Sequence, residues 1–329
     1  MSEPLETQPR NLPLLATPET CAGRTYIVTG SNTGLGYEAA KHLVALGAAR
    51  VIMAVRNVGA GETAKAEIER DTGKINVAEV WTLDLASYDS VKAFAKRAIT
   101  DLDRIDALIE NAAVGISQRM MAEGHLLPLT VNVFSTFLLA VLLLPKMRQT
   151  AKSFGILPHL TIVSSGVGFD FKAAWDKIKD DPVAKLDAEE VELMATYGLS
   201  KLMEIFAIRY FATLIPLSRS GVVLNTVSPG LCKTDLARNA TPAFREQLQA
   251  LHAQYGRTAE DGSRTLLHAA IAGKESHGCY LSSCEIAESK VPSWISDEEG
   301  KKSQKYVWEL IATELESIEP GSVKKILES

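Results

Sequence analysis

The chain lacks any recognisable set of metal ligands. Its four cysteines, Cys21, Cys232, Cys279 and Cys284, form no C-x-x-C pair, and its six histidines show no H-E-x-x-H or similar spacing. No metal site is expected, and a reducing interior, read as cytoplasmic, fits better than secretion. An excess of basic charge is lacking too. With 35 Lys and Arg against 40 Asp and Glu, the net charge of −5 offers no field to nucleic acid or anionic lipid. The apolar stretch 137–144 (FLLAVLLL), cut by Pro145, falls short of the about 20 residues that span a bilayer. It reads as a buried helix packed on a sheet, with room for a subunit contact. Residues 1–18, rich in Pro, Thr and Glu, hold no long apolar run. They read as the start of a flexible lead-in over 1–21, and not as a signal peptide.

What is present is an alternation. Short apolar runs at 26–29, 51–55, 77–83, 107–110, 160–164, 222–227 and 279–281 predict strands. Between them, amphipathic segments at 35–46, 61–70, 87–102, 124–149, 188–214 and 259–272 predict helices. Strand and helix alternating in this way imply a parallel sheet covered on both faces. Right-handed crossovers then give one doubly wound α/β domain over 22–329, with about seven strands in the order 3-2-1-4-5-6-7. Two long connections, near 166–196 and 231–256, break the rhythm. Connections at the carboxyl ends of strands are where such sheets hold ligands, so both are candidate substrate walls, with plain surface elaboration as the alternative.

The first strand runs into Thr29-Gly30-Ser31-Asn32-Thr33-Gly34-Leu35-Gly36 and then a helix. Glycines at this spacing supply a tight turn, close backbone approach to a pyrophosphate, and close helix–strand packing. The helix start offers N–H groups and a positive dipole end to the phosphates. An NAD site normally carries an acid roughly 20 positions on. Here the second strand ends Ala54-Val55-Arg56-Asn57, with no carboxylate before Glu62. An acid would repel a 2′-phosphate and Arg56 would pair with it, which favours NADPH, unless Arg56 is an ordinary solvated arginine.

Tyr-x-x-x-Lys places a phenol and an ammonium on one helical face, where the ammonium favours tyrosinate. The spacing occurs three times, at Tyr37/Lys41, Tyr88/Lys92 and Tyr197/Lys201, so alone it decides nothing. Position separates them. The first two fall in the adenosine half of the fold and read as packing or surface. Tyr197 opens a long helix in the other half, after a strand ending Ser164-Ser165-Gly166 whose hydroxyls suit a substrate oxygen.

Taken together, TGSNTGLG (29–36), LDL (83–85), ENAA (110–113), VN (131–132), SSGVG (164–168), YGLSK (197–201) and SPGLCKTD (228–235) resemble the short-chain dehydrogenase/reductase family over roughly residues 22 to 285. Within it, the chain is similar to the retinol-dehydrogenase-like reductases of fungi. The resemblance implies Tyr197 as proton donor in reduction and Lys201 as the group that lowers its pKa and bonds the nicotinamide ribose. Ser165 would bind the substrate oxygen, with Ser164 the runner-up, and Asn132 would hold a water linking Lys201 to solvent. Gly30, Ser31, Asn32, Gly34, Leu35, Gly36 and Arg56 would hold the phosphates. Asp84 and Leu85 would meet the adenine, and Asn111 and Ala112 would shape the central pocket. Pro229, Gly230 and Thr234 would line the nicotinamide and pyrophosphate.

Three departures stand out: Glu110 and Ala113 in place of Asn and Gly, Cys232 where a β-branched residue is usual, and a lengthened gap between Ser165 and Tyr197. The implied activity is NADP(H)-dependent hydride transfer to or from a carbonyl or alcohol carbon. The aromatics Phe169, Phe171, Trp175, Phe244 and Tyr255 point to an apolar substrate of secondary-metabolite, terpenoid, polyketide, retinoid or aromatic type. A dimer or tetramer through the Asn132 and Tyr197 helices is implied. The rival readings are a non-catalytic dinucleotide sensor and a dehydratase or epimerase on the same fold.

Overall fold

The computed structural model describes residues 4–188, 190–237 and 240–328. Five parallel strands carry the centre: β1 Thr25–Thr29, β2 Arg50–Val55, β3 Ala78–Thr82, β4 Ala107–Glu110 and β5 His159–Val163. Beyond β5 lie β6 Val223–Ser228 and β7 Tyr280–Ser282, also parallel, and then the short antiparallel β8 Glu285–Ile286. The order across the sheet is β8-β7-β6-β5-β4-β1-β2-β3. The expected order therefore holds, with an eighth strand added at one edge.

Every residue of β1 is buried, as a strand covered on both faces requires. Ile27 faces one layer, made by α3 Tyr88–Asp101, α4 Thr136–Phe154 and α5 Leu193–Leu214. Tyr26 and Val28 face the other, made by α1 Gly34–Ala45, α2 Val58–Thr72 and α7 Ala259–Ala269. A further helix, α6 Pro242–Tyr255, lies between β6 and α7 in the chain and occupies the second long connection.

The predicted helix at 124–149 is three things. A hairpin of Met121–Ala122 with His125–Leu126 comes first, then a π-helical turn over Leu129–Ser135, then α4. Asp187 secures the hairpin by accepting the Leu126 N–H at 2.7 Å and meeting His125 Nδ1 at 2.7 Å. The continuous helix Leu129–Phe154 is long and apolar enough to cross a membrane, with mean hydropathy 1.8, but 78% of that window is buried inside the fold. α4 runs on through Pro145.

Two helices follow the sheet that no predicted segment covered: α8 Glu298–Ile318 and α9 Ser322–Glu328. Asp297 starts α8 by accepting the Gly300 N–H at 2.8 Å. Trp308 of α8 stacks on Phe211 of α5 and meets Phe137 of α4 edge-on, with centroids 4.0 and 6.1 Å apart. The helices nominated for a subunit contact are thus covered from within the chain.

Part of the N-terminal segment, whose composition pointed to a flexible lead-in, is tied down over residues 11–16. Asp261 of α7 accepts the N–H groups of Asn11 and Leu12, and Leu12 and Ala16 are buried. Composition speaks only to the segment's own core-forming capacity, and here the anchoring carboxylate comes from elsewhere in the chain.

Candidate active site

The phosphate loop is built to admit an anion. Gly30 has φ +64°, and a Cβ there would sit 3.0 Å from Ala112. A Cβ on Gly36 would fall 2.5 Å from Asn111 Nδ2 and 2.7 Å from the Gly30 carbonyl oxygen, which leaves glycine as the residue that fits. α1 begins at Gly34 with no side-chain cap and no acid in its first turn. Its first amides therefore lack a side-chain acceptor, and an external phosphate suits them. By contrast, α7 is capped by Thr258 and carries Glu260 and Asp261 in its first turn.

The remaining loop residues sort by where they point. Ser31 is buried and its hydroxyl donates inward to the Val28 carbonyl, so only its backbone faces a ligand. Asn32 and Leu35 are half-buried. Arg56 is exposed and makes no hydrogen bond or ion pair among the described residues. Asp84 accepts the Ala86 N–H at 3.0 Å, beside buried Leu85. Asn111 braces the centre by donating to the carbonyls of Thr29 and Gly30, while the Ala112 N–H donates to the Thr29 hydroxyl at 2.9 Å. Thr234 lies against Gly34, 3.4 Å from where a Cβ would stand.

The loop after β6 is held from behind by a residue the sequence reading missed. Arg257 is buried and donates to the carbonyls of Pro229 at 2.6 Å and Pro9 at 2.8 Å and to the Ser283 hydroxyl. Gly230 has φ +76°, and Gln8 binds its neighbour Leu231 through both the N–H and the carbonyl. Cys232 turns back, donating to the Pro229 carbonyl and packing towards Gly262. Burial pushes its thiol up to about 12, so it stays neutral.

Two glycines dock the turn that follows Ser165 on the helix that carries Tyr197. A Cβ on Gly168 would meet the Leu202 backbone N at 2.9 Å, and one on Gly198 would strike the Phe171 ring at 2.2 Å. The turn Gly166–Phe171 thereby docks on α5 beside Tyr197. Ser165 caps that turn, accepting the Val167 N–H, and stays half-buried. Ser164 is buried and donates to the Lys201 carbonyl at 2.8 Å, which turns it away from the cleft. The Tyr197 phenol makes no hydrogen bond among the described residues, and Gly115 passes close to its ring.

Two further residues expected at the site are held by internal hydrogen bonds. Asn132 is buried, and its side chain exchanges hydrogen bonds with both backbone groups of Val114 and donates to Ser200 at 2.9 Å. It pins the 112–115 segment to α5. Lys201 Nζ donates to the Val163 carbonyl and to Glu204, each at 2.8 Å. Its ammonium also lies 5.9 Å from the Tyr197 ring centroid. Burial, with the Glu204 charge behind it, holds that phenol well above its ordinary value.

Of the aromatics nominated as a substrate wall, Phe169 and Trp175 belong to the core. Phe169 packs edge-on against Tyr280, and Trp175 lies against Phe206 and donates to Ser303. Phe171 rests on Gly198 and is half-buried, as are Phe244 and Tyr255 on α6. The two decoy pairs are as expected: Lys41 is paired with Asp71 and Lys92 with Asp89, and Tyr88 is buried. Among the described residues no cluster of His, Cys, Asp or Glu is suited to a metal.

A family model described as short chain dehydrogenase matches residues 24–174. A short chain dehydrogenase/reductase of Cryptosporiopsis sp. is 42% identical over 310 residues, covering 91% of this chain and 93% of that protein. A short-chain dehydrogenase/reductase of Aspergillus flavipes is 37% identical over 94% and 90% of the two chains. Among solved structures, a short-chain dehydrogenase from Sphingobium yanoikuyae in complex with NADPH aligns with a TM-score of 0.62 at 18% identity, over 86% of this chain and 95% of its own. A 3-ketoacyl-(acyl-carrier-protein) reductase from Brucella melitensis complexed with NADH aligns at 0.59 and 19%, over 80% and 97%. At these identities the two structures speak to the fold.

Proposed function

The chain belongs to the short-chain dehydrogenase/reductase family of nicotinamide-dependent oxidoreductases, and from that premise we propose that it is an NADPH-dependent reductase of an apolar carbonyl compound. The observation that carries the reading is the Tyr197 phenol, half-buried and without a hydrogen bond among the described residues, beside the Ser165 turn and with the Lys201 ammonium 5.9 Å from its ring centroid. When bound, the dinucleotide supplies the hydride. Gly30, Gly34 and Gly36 and the uncapped start of α1 fit its pyrophosphate, and the free Arg56 fits a 2′-phosphate.

The chain's own groups then act on the carbonyl oxygen. Ser165 orients that oxygen, and Tyr197 gives up its proton as charge grows there. A phenol held above its ordinary pKa is protonated at neutral pH, which suits reduction. The apolar lean rests on three exposed side chains near the site residues in sequence. Val167, Met194 and Leu236 are exposed apolar side chains, close in sequence to Ser165, Tyr197 and Thr234 respectively.

The test is Tyr197→Phe assayed by NADPH oxidation with a panel of aldehydes and ketones. Turnover should fall about a hundred- to ten-thousandfold, the range of positioned acid–base catalysis, with cofactor affinity kept within a few-fold. Full turnover in the variant would end the assignment.

A further inference from the structure

Beneath Tyr197 lie two carboxyl groups that the proposed reaction does not use. Glu110 ends β4, is 2% exposed, and neither of its carboxyl oxygens has a hydrogen-bond partner among the described residues. Glu204 is 1% exposed. One of its oxygens accepts Lys201 Nζ at 2.8 Å, and the other has no hydrogen-bond partner among the described residues. Tyr197, Lys201 and Glu204 stand at i, i+4 and i+7, on one face of α5. Glu110 pairs in register with Ile162 of β5, one residue before the Val163 carbonyl that also holds Lys201. Both carboxyls therefore flank one ammonium in the dry layer between sheet and helix.

The charges do not cancel if both carboxyls ionise. An ionised carboxylate without a partner in an apolar interior takes up a proton instead. Two carboxyls in one such site do not both ionise, and a single ammonium compensates one of them. Glu204 touches the ammonium and is the ionised partner, so Glu110 is the one left to hold a proton. We propose that Glu110 and Glu204 hold one proton between them beneath Lys201, and that as positioning residues they keep Tyr197 protonated and so set the site for reduction.

The electrostatic balance runs the same way. Burial, with the Glu204 charge added and Lys201 opposing, raises the Glu110 pKa well above its ordinary value. Burial, opposed by Lys201 and then Ser164, pushes Glu204 up to about 7. Among the described residues these groups, with Tyr197, are those in play. The turn 166–171, β6 and α8, which also pack on α5, add no charged group acting on either carboxyl. The proposal rests on Tyr197 being the proton donor.

Two measurements test it on the full-length protein. The first needs no cofactor. A carboxyl whose pKa folding raises binds a proton on folding, so stability falls as pH rises from its ordinary range towards the raised value. The wild-type melting temperature should fall as pH rises above the ordinary carboxylate range, from about pH 5 upward, and Glu110→Gln should flatten that decline. Equal slopes in the two proteins overturn the proposal.

The second measurement is the pH profile of alcohol oxidation, with an aromatic alcohol and NADP+. Its rising limb should move to lower pH in Glu204→Gln by about tenfold in proton concentration, because the charge that raises the Tyr197 pKa is gone. A coincident limb, with Tyr197→Phe inactive, overturns the proposal and leaves the assignment of Tyr197 intact. Full activity in Tyr197→Phe removes both. Should Glu204→Gln fail to fold, the Glu110→Gln melting series still decides.

Discussion

At the scale of single residues, the proposed preference for NADPH rests on Arg56. It is exposed and makes no ion pair among the described residues, just after β2, where a carboxylate would otherwise exclude a 2′-phosphate. Arg56→Ala should raise the KM for NADPH by about ten- to a hundredfold, the worth of charge-assisted hydrogen bonds, and leave the KM for NADH within a few-fold. Initial rates with each cofactor check this, and equal losses would clear Arg56 of the role. Arg56 was legible because a motif fixes its place. Glu204 was legible in principle, since it completes an i, i+4, i+7 face with Tyr197 and Lys201, but a two-letter motif stops at the lysine. That a second carboxyl, Glu110 of β4, lies buried across from this helix is a strand-to-helix relation that spacing along the chain does not report. The aromatics misled for a related reason. A ring has no sequence mark for which side of a connection it faces, and Phe169 and Trp175 found partners in Tyr280 and Phe206.

At the scale of elements, the glycine loop and the strands that frame it read directly, because their periodicity and turn chemistry are local. The π turn at Leu129–Ser135 did not, since an apolar run has the same pattern in an α- or a π-helical turn. The N-terminal strap was hidden for a different reason: its anchors, Asp261 and Arg257, lie far along the chain. That strap braces the loop carrying Pro229 and Gly230, through Gln8 on Leu231 and Arg257 on Pro229 and Pro9. Asp261→Ala removes a carboxylate that accepts two backbone N–H groups, at 3.0 and 2.5 Å. Stability should drop by about 2 kcal/mol, and the KM for NADPH should rise more than kcat falls. Denaturant unfolding and steady-state kinetics measure the two effects. A stability loss with an unchanged KM would show that the strap braces α7 but not the cofactor loop.

At the scale of the whole molecule, strand order followed from alternation and handedness, and the structure adds only β8 at the edge. The C-terminal helices went unread although Val307, Trp308, Ile311 and Leu315 repeat with helical period and are all buried. Their role appears only in three dimensions, where they lie over α4 and α5. Trp308 fills the seam between Phe137 and Phe211, and Arg148 of α4 donates to the Ile326 carbonyl of α9 at 2.9 Å. With that apolar face covered from within, a second copy has no need to cover it, and the chain should behave as a monomer by light scattering. Trp308→Ala opens the seam. It should cost about 3–5 kcal/mol in stability, as large buried aromatics do when truncated. The uncovered face should then drive association that grows with protein concentration. A wild-type mass of two chains or more, unchanged in Trp308→Ala, would mean that subunits meet through another surface and that α8 serves folding alone.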